Sequence, residues 1–314
     1  MLKSSIPKVN FMKAIQFTEY GSPEVLHLVE VDEPHAGPGQ VRISVKGAGV
    51  NPSDWKRLAG QYREHEEVAF PSGLGVEASG IVDEVGPGVV NVSIGDAVFG
   101  CGQNTMAMAQ YAILPHWAHK PANVSFEIAG GLPVIADTAT RALDEVGVQP
   151  GQTLLVCGAA GGIGSAVLQF ARLRGVFVIG TASAKKHDYL RGLGATPTTY
   201  APGLAERVRQ LAPQGVDAAL DLAGSGIVPE LIQIVGDPAH VLSVADFSAP
   251  QYGAKFSYGP PKDLQRVLAN VARLCSEGLF RLHIEQTFPL ERTREAQEIS
   301  AKGHVTGKLV IAVS

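Results

Sequence analysis

The stretch TLLVCGAAGGIGSAVLQFARLRG, from Thr153 to Gly175, leaves the chain few ways to fold. The apolar run Leu154–Cys157 passes straight into glycine and alanine, and a helical pattern starts with no linker. Ile163, Ala166, Val167, Phe170 and Leu173 recur on one helical face, so this helix is expected to pack on a sheet. The turn reads Ala159-Ala160-Gly161-Gly162-Ile163-Gly164, a G-x-G-x-x-G variant with alanine in the first position. Small residues let the backbone approach a pyrophosphate at the helix N-terminus, and Gly164 lets helix and strand close up. The motif alone also describes any tight strand–helix turn. Context favours dinucleotide binding, because the turn follows a strand, opens a helix and begins a strand–helix series.

That series follows QPGQ. Strands are expected at Leu154–Cys157, Val176–Thr181, weakly at Thr198–Tyr200, then at Val216–Leu222 and His240–Ala245, with helical patterns between them. Such βαβ units build a parallel sheet wound right-handedly. From Met12 to about Phe99 the text is instead strands and turns, with Val41, Ile43 and Val45 at period two and turns at GPG and IGD. Ser125 is placed to cap a helix over FEIAG, and TATRALDEVG is helical. The tail from LHIEQ onward returns to strand–helix–strand, which can rejoin the first domain. Residues 1–11 read as an extension ahead of the fold.

A length of 314 residues suits two domains. The net charge of -4 gives no nucleic-acid footprint, and no apolar run approaches a membrane span. MLKSSIPKVNF has no apolar core of the secretory kind. Cys101, Cys157 and Cys275 have neither metal-ligand nor disulfide spacing, which suits a reducing cytoplasm.

An NAD site usually carries an acid about 20 residues beyond the glycines, for the ribose hydroxyls. No Asp or Glu occurs between Glu145 and Asp188. The second strand ends instead in Thr181, Ser183, Lys185 and Lys186, a hydroxyl and ammonium set that suits the 2′-phosphate of NADP. The alternative is that Ser183 caps the next helix and the lysines are solvated.

Across Met12 to the end, this combination resembles the medium-chain dehydrogenase/reductase superfamily. The resemblance implies an α/β protein: a GroES-like β-rich catalytic domain over 12–130, completed by 280–314, and a Rossmann doubly wound parallel sheet over 131–279 that binds NADP(H). Zinc members carry a cysteine in G-x-C-x-x-D and a histidine in G-H-E. Here the segments read GVNPSD and GVE, with Asn51 for the cysteine and Val76 for the histidine. The four-cysteine structural zinc lobe is also missing, so no metal is expected. HWAH (His116, His119) is read as loop.

What remains resembles the zinc-independent branch, the zeta-crystallin-like quinone oxidoreductases and the enone reductases. VNPSDWKRLAGQY resembles that branch's Asn-x-x-Asp…Tyr segment, ADTATRAL its helix with Thr138 as the matching threonine, and SVADFSAP the loop beside the nicotinamide, with Phe247 as its contact. Tyr200 stands where the branch often has a tyrosine by the adenosine phosphate. The implied activity is a cytoplasmic, NADPH-dependent hydride transfer to a quinone or to the C=C bond of an α,β-unsaturated carbonyl. Lys56 is either the partner of a developing oxyanion or a solvated loop lysine. Tyr62 is either a proton donor or a packed ring, and Asn51 orients nicotinamide or substrate. The resemblance also implies a homodimer. A cofactor-binding protein with little turnover, crystallin-like, is the competing reading.

Overall fold

The computed structural model describes residues 10–103, 106–200, 202–259 and 262–314. Most of the expected N-terminal extension, residues 1–9, lies outside the described residues. Phe11, also assigned to that extension, already opens the strand Phe11–Phe17 and pairs with Asp32. Two units divide the chain. The first comprises Met1–Pro133, Gln286–Gly303 and Leu309–Ser314, and the second Val134–Glu285 and His304–Lys308.

The first unit is built on Val41–Val50, the strand predicted from period two. Val41, Ile43 and Val45 are buried, as alternation requires when one face meets a core. The strand pairs antiparallel with Glu77–Val85, Tyr111–Leu114 and Lys308–Ala312 in a seven-stranded sheet. A three-stranded sheet is formed by His27–Asp32, Phe11–Phe17 and Ser72–Gly73. Gly47 admits the helix Phe126–Gly130, since a Cβ there would stand 2.6 Å from the carbonyl oxygen of Phe126. Ser125 caps that helix as expected, its Oγ accepting the Ile128 N–H.

Two readings of this region are corrected. A helix, Pro52–Leu58, lies where only strands and turns were expected. Asn51 stands at its N-cap, Pro52 at its first position, and the Asp54 carboxylate accepts the Asn51 N–H at 2.8 Å. These are helix-start signals. His116–His119 is a strand rather than a loop, paired with Ala97–Cys101. Ala118 is buried and both histidines are exposed, and His119 Nε2 meets the Asn91 carbonyl at 3.0 Å.

The second unit is a six-stranded sheet in the order Thr196–Thr198, Phe177–Thr181, Thr153–Cys157, Ala218–Asp221, Val241–Ser243, Lys255–Phe256, every pair parallel. The strand feeding the glycine turn is buried along its whole length, as a strand covered on both faces must be. Each expected strand is present with slightly shifted bounds. The sixth, Lys255–Phe256, was not foreseen.

The helix after the turn, Gly162–Leu173, packs on the sheet with Ala166, Val167, Leu168, Phe170 and Ala171 buried. Its predicted face is corrected at its last residue, because Leu173 is 43% exposed. Gln169 is buried in its place. Its Nε2 donates to the carbonyls of Ser165 and Arg281, and its Oε1 accepts the Arg281 N–H, so a polar side chain is satisfied inside the packed face.

Candidate functional site

In the second unit the turn is assembled from backbone. Gly158 adopts φ +80°, in the left-handed region that favours glycine, and Gly161 takes the N-cap of the following helix in extended geometry. A Cβ on Gly164 would lie 2.3 Å from the Gly158 carbonyl oxygen, so the helix closes on the strand only because that atom is missing. Gly161 differs. A Cβ there would meet nothing nearer than the Gly158 oxygen at 3.6 Å. The space beside the helix N-terminus is open, as a bound phosphate requires. Ala159 and Ala160 are buried, and Ile163 is half-buried. Gly307 donates its N–H to the Ala160 carbonyl at 2.8 Å and bridges Gly161, so the segment His304–Lys308 braces the turn. Sequence reasoning missed that brace.

The loop after Phe177–Thr181 carries Ser183, Lys185 and Lys186. Ser183 is the N-cap of a short 3-10 turn without using its side chain as a cap, which removes the alternative role considered for its hydroxyl. Lys185 is exposed and, among the described residues, has no hydrogen-bond or ion-pair partner. Lys186 is half-buried, and its Nζ donates to the His304 carbonyl at 2.6 Å. Burial holds its pKa below the usual lysine value, with Glu285 acting the other way. Thr181 is buried beside Cys157, and Tyr200 is exposed. Burial pushes the Cys157 thiol up to about 12, with the Thr181 hydrogen bond opposing and Asp221 reinforcing the shift. That thiol is no nucleophile.

Beyond the central strand the sheet ends in two further loops. Asp221, fully buried, closes the strand Ala218–Asp221 and accepts the N–H groups of Ala223 and Gly224, each at 3.0 Å. Its other oxygen accepts the Ser243 hydroxyl at 2.8 Å. Phe247 lies in the next loop, its ring 4.6 Å from Phe256 and 5.9 Å from Tyr258. Thr138 is buried on the helix Pro133–Val146. On that helix Arg141 reaches the Ser257 hydroxyl and lies 3.7 Å from Asp137, whose carboxyl is raised above its usual range by burial, against the pull of Arg141.

The first unit holds the other candidates. Asn51 caps the helix Pro52–Leu58, Lys56 sits on it, and Tyr62, half-buried, lies in the turn behind it. Arg57 ties that turn down through Glu66 at 2.8 Å and Ser72 at 3.0 Å. The Asn51 Nδ2 donates to Glu77 Oε1 at 2.8 Å, and Glu77 is fully buried. Asp54 also accepts from Gln297 Nε2 at 3.5 Å. Lys56 Nζ stands 5.8 Å from the centre of the Trp55 ring. Glu77 and Gln297 were not singled out from sequence. Gly49 carried a signal for the first, since a Cβ there would sit 2.2 Å from Glu77 Oε1.

These residues do not fit a zinc ion. Zinc needs thiolate, imidazole or carboxylate donors, usually three from protein at a catalytic site. An amide already committed to Glu77 and the side chain of Val76 do not supply them. Among the described residues, no three His, Cys, Asp or Glu side chains gather as a metal site.

Comparison with known proteins places the chain. The signature of the alcohol dehydrogenase GroES-like domain matches residues 37–132, and that of the zinc-binding dehydrogenases residues 193–311. A probable quinone oxidoreductase of Leishmania amazonensis is 34% identical over 83% of this chain and 78% of its own. The chloroplastic NADPH-dependent alkenal/one oxidoreductase of Arabidopsis thaliana is 29% identical, over 98% and 81%. The solved quinone oxidoreductase of Coxiella burnetii superposes with a TM-score of 0.84 at 31% identity, covering 97% of this chain and 100% of that one. The polyketide synthase component PikAII of Streptomyces venezuelae matches at 34% over 88% of this chain, which spans only 8% of that protein. The chain belongs to the medium-chain dehydrogenase/reductase superfamily, with a GroES-like unit and a Rossmann unit. Within it, the chain groups with the quinone oxidoreductases and enone reductases.

Proposed function

We propose that the protein is a zinc-independent, NADPH-dependent reductase of quinones or of the C=C bond of α,β-unsaturated carbonyls. The observation that carries this reading is the open space at Gly161, in a turn where Gly164 is closed off by backbone and Gly162 is crowded by Ile135 and Gly307. The backbone amides of Gly162 and Ile163, at the N-terminus of the helix and beside the open face of Gly161, hold a pyrophosphate there. Ser183 and Lys185 take the 2′-phosphate, with Tyr200 beside the adenosine, and no acid between Glu145 and Asp188 repels it. Lys186, given to His304, holds the loop in place. Thr138 and Phe247 face the nicotinamide half.

NADPH supplies a hydride to an electron-poor carbon, which needs less electrophilic help than an alcohol or ketone does. The protein's share is placement at near-attack distance and stabilisation of the oxygen that gains charge. Lys56 serves that oxygen with its ammonium group. Tyr62 donates a proton or lines the pocket. Asn51, fixed through Glu77, orients nicotinamide or substrate. The Arabidopsis relative, named for alkenals and enones with NADPH, and the quinone oxidoreductases support the two acceptor classes. The sheet ends in the short edge strand Lys255–Phe256, whose pairing with a second copy would make a homodimer.

Absorbance at 340 nm, followed with NADPH and NADH in parallel against quinones and simple enones, tests the reading. Oxidation that favours NADPH is expected, and the better acceptor class assigns the substrate. A preference for NADH would overturn the role of Ser183 and Lys185. A flat trace with tight NADPH binding would favour the competing reading, a binding protein with little turnover.

A further inference from the structure

Strand order places the two halves of a dinucleotide. The glycine turn follows Thr153–Cys157. The loop with Ser183 and Lys185 follows its neighbour on one side, and Ala218–Asp221 and Val241–Ser243 lie on the other. Ligands of such sheets bind outside the carboxyl ends of the strands. A dinucleotide with its 2′-phosphate over Ser183–Lys185 therefore extends its nicotinamide half over the loops that follow Asp221 and Ser243.

We infer that Asp221 and Ser243 are positioning residues that lock these two loops together beneath the nicotinamide half. The inference rests on the NADPH reading above. One Asp221 oxygen holds the Ala223 and Gly224 N–H groups, and the other the Ser243 hydroxyl. Ser243 Oγ in turn accepts the N–H groups of Ala245 at 3.1 Å and Asp246 at 2.9 Å. Asp246 then accepts from the Ser248 N–H and hydroxyl, on either side of Phe247. An unbroken line of hydrogen bonds thus runs from the first loop to the segment that carries Phe247. The loops also touch directly, since a Cβ on Gly224, at φ +67°, would lie 2.9 Å from the Ala245 carbonyl oxygen. Asp221 and Ser243 are both fully buried. A buried carboxyl group is costly unless donors meet it. Here its donors are the amides of the first loop and the Ser243 hydroxyl, whose oxygen in turn holds the amides of the second loop, so movement of either loop strips one of these two buried groups of a partner.

The test compares the affinity of wild type, Asp221→Asn and Ser243→Ala for NADPH and for 2′,5′-ADP, which lacks the nicotinamide half, by titration calorimetry. NADPH is expected to bind about tenfold more weakly to each variant, the scale of one lost hydrogen bond to a charged group. Binding of 2′,5′-ADP should stay within about twofold of wild type. Parallel weakening of both ligands, or unchanged NADPH affinity, overturns the inference. If Asp221→Asn does not fold, Ser243→Ala leaves the two backbone donors on Asp221 in place and decides the matter alone. A wild type that binds neither ligand sinks the NADPH reading and this inference with it. A wild type that binds both without turnover sinks only the proposed activity.

Discussion

The turn at Gly158–Gly164 and the end of the strand Val41–Val50 both crowd glycines together, and they use them differently. In the strand, the missing Cβ of Gly47 makes room for the backbone of a helix, and that of Gly49 for the buried Glu77 carboxyl group. In the turn, Gly164 is likewise filled by the protein's own backbone, while the space at Gly161 is left open. Glycine in a sequence signals close approach without saying of what. The partner that occupies the space decides whether the position serves packing or binding.

The largest effect expected from this contrast is at Gly164. Its replacement by alanine pushes a methyl into the Gly158 carbonyl, and a loss of about 3 kcal/mol or more is expected in urea denaturation, at the upper end for overpacked sites. Next comes Gly49→Ala, with an expected loss of about 2 kcal/mol from the clash with Glu77. Combined with Glu77→Ala it should cost less than the sum of the two single changes, because the atom it collides with is gone. Additive losses would mean that Gly49 is not there for Glu77. Gly161→Ala should change stability by no more than about 1 kcal/mol yet weaken NADPH binding about tenfold or more, read by calorimetry. A loss of stability equal to that at Gly164 would break the comparison outright.

Smaller still is Lys185→Ala, expected to cut the preference for NADPH over NADH about fivefold to tenfold, measured as the ratio of kcat/KM. The least effect concerns the strand that feeds the turn. With the Cys157 and Cys275 thiols both pushed up to about 12 by burial, only Cys101 should react with an aromatic disulfide reagent at pH 8, and a Cys101→Ser variant should give no signal until unfolded.

Legibility in the sequence follows the same division. The glycine turn could be read because its strand, spacing and helix are contiguous, and the missing acid because an absence between Glu145 and Asp188 is visible without coordinates. The parallel sheet followed from its alternation, except for Lys255–Phe256, two residues too short to show a period. The helix Pro52–Leu58 has seven residues, fewer than a periodic signal needs, although Asn51, Pro52 and Asp54 mark its start. Partners distant in sequence were out of reach. Lys186 reads as a phosphate ligand, and its bond to His304, 118 residues away, leaves no trace in the sequence around it. Asp221 and Ser243 look like ordinary strand ends, and Glu77 gives itself away only through the glycine opposite it.

The brace on the glycine turn bears on how this chain can be cut and rejoined. His304–Lys308 belongs with the second unit, although the residues before and after it belong with the first. A continuous fragment from Val134 to Glu285 would hold all six parallel strands and still lack the amide that meets Ala160 and the carbonyl that holds Lys186. The nucleotide-binding half is thus not a portable module. A chimera that exchanges this half must carry the five-residue return with it, or its phosphate loop arrives without its support.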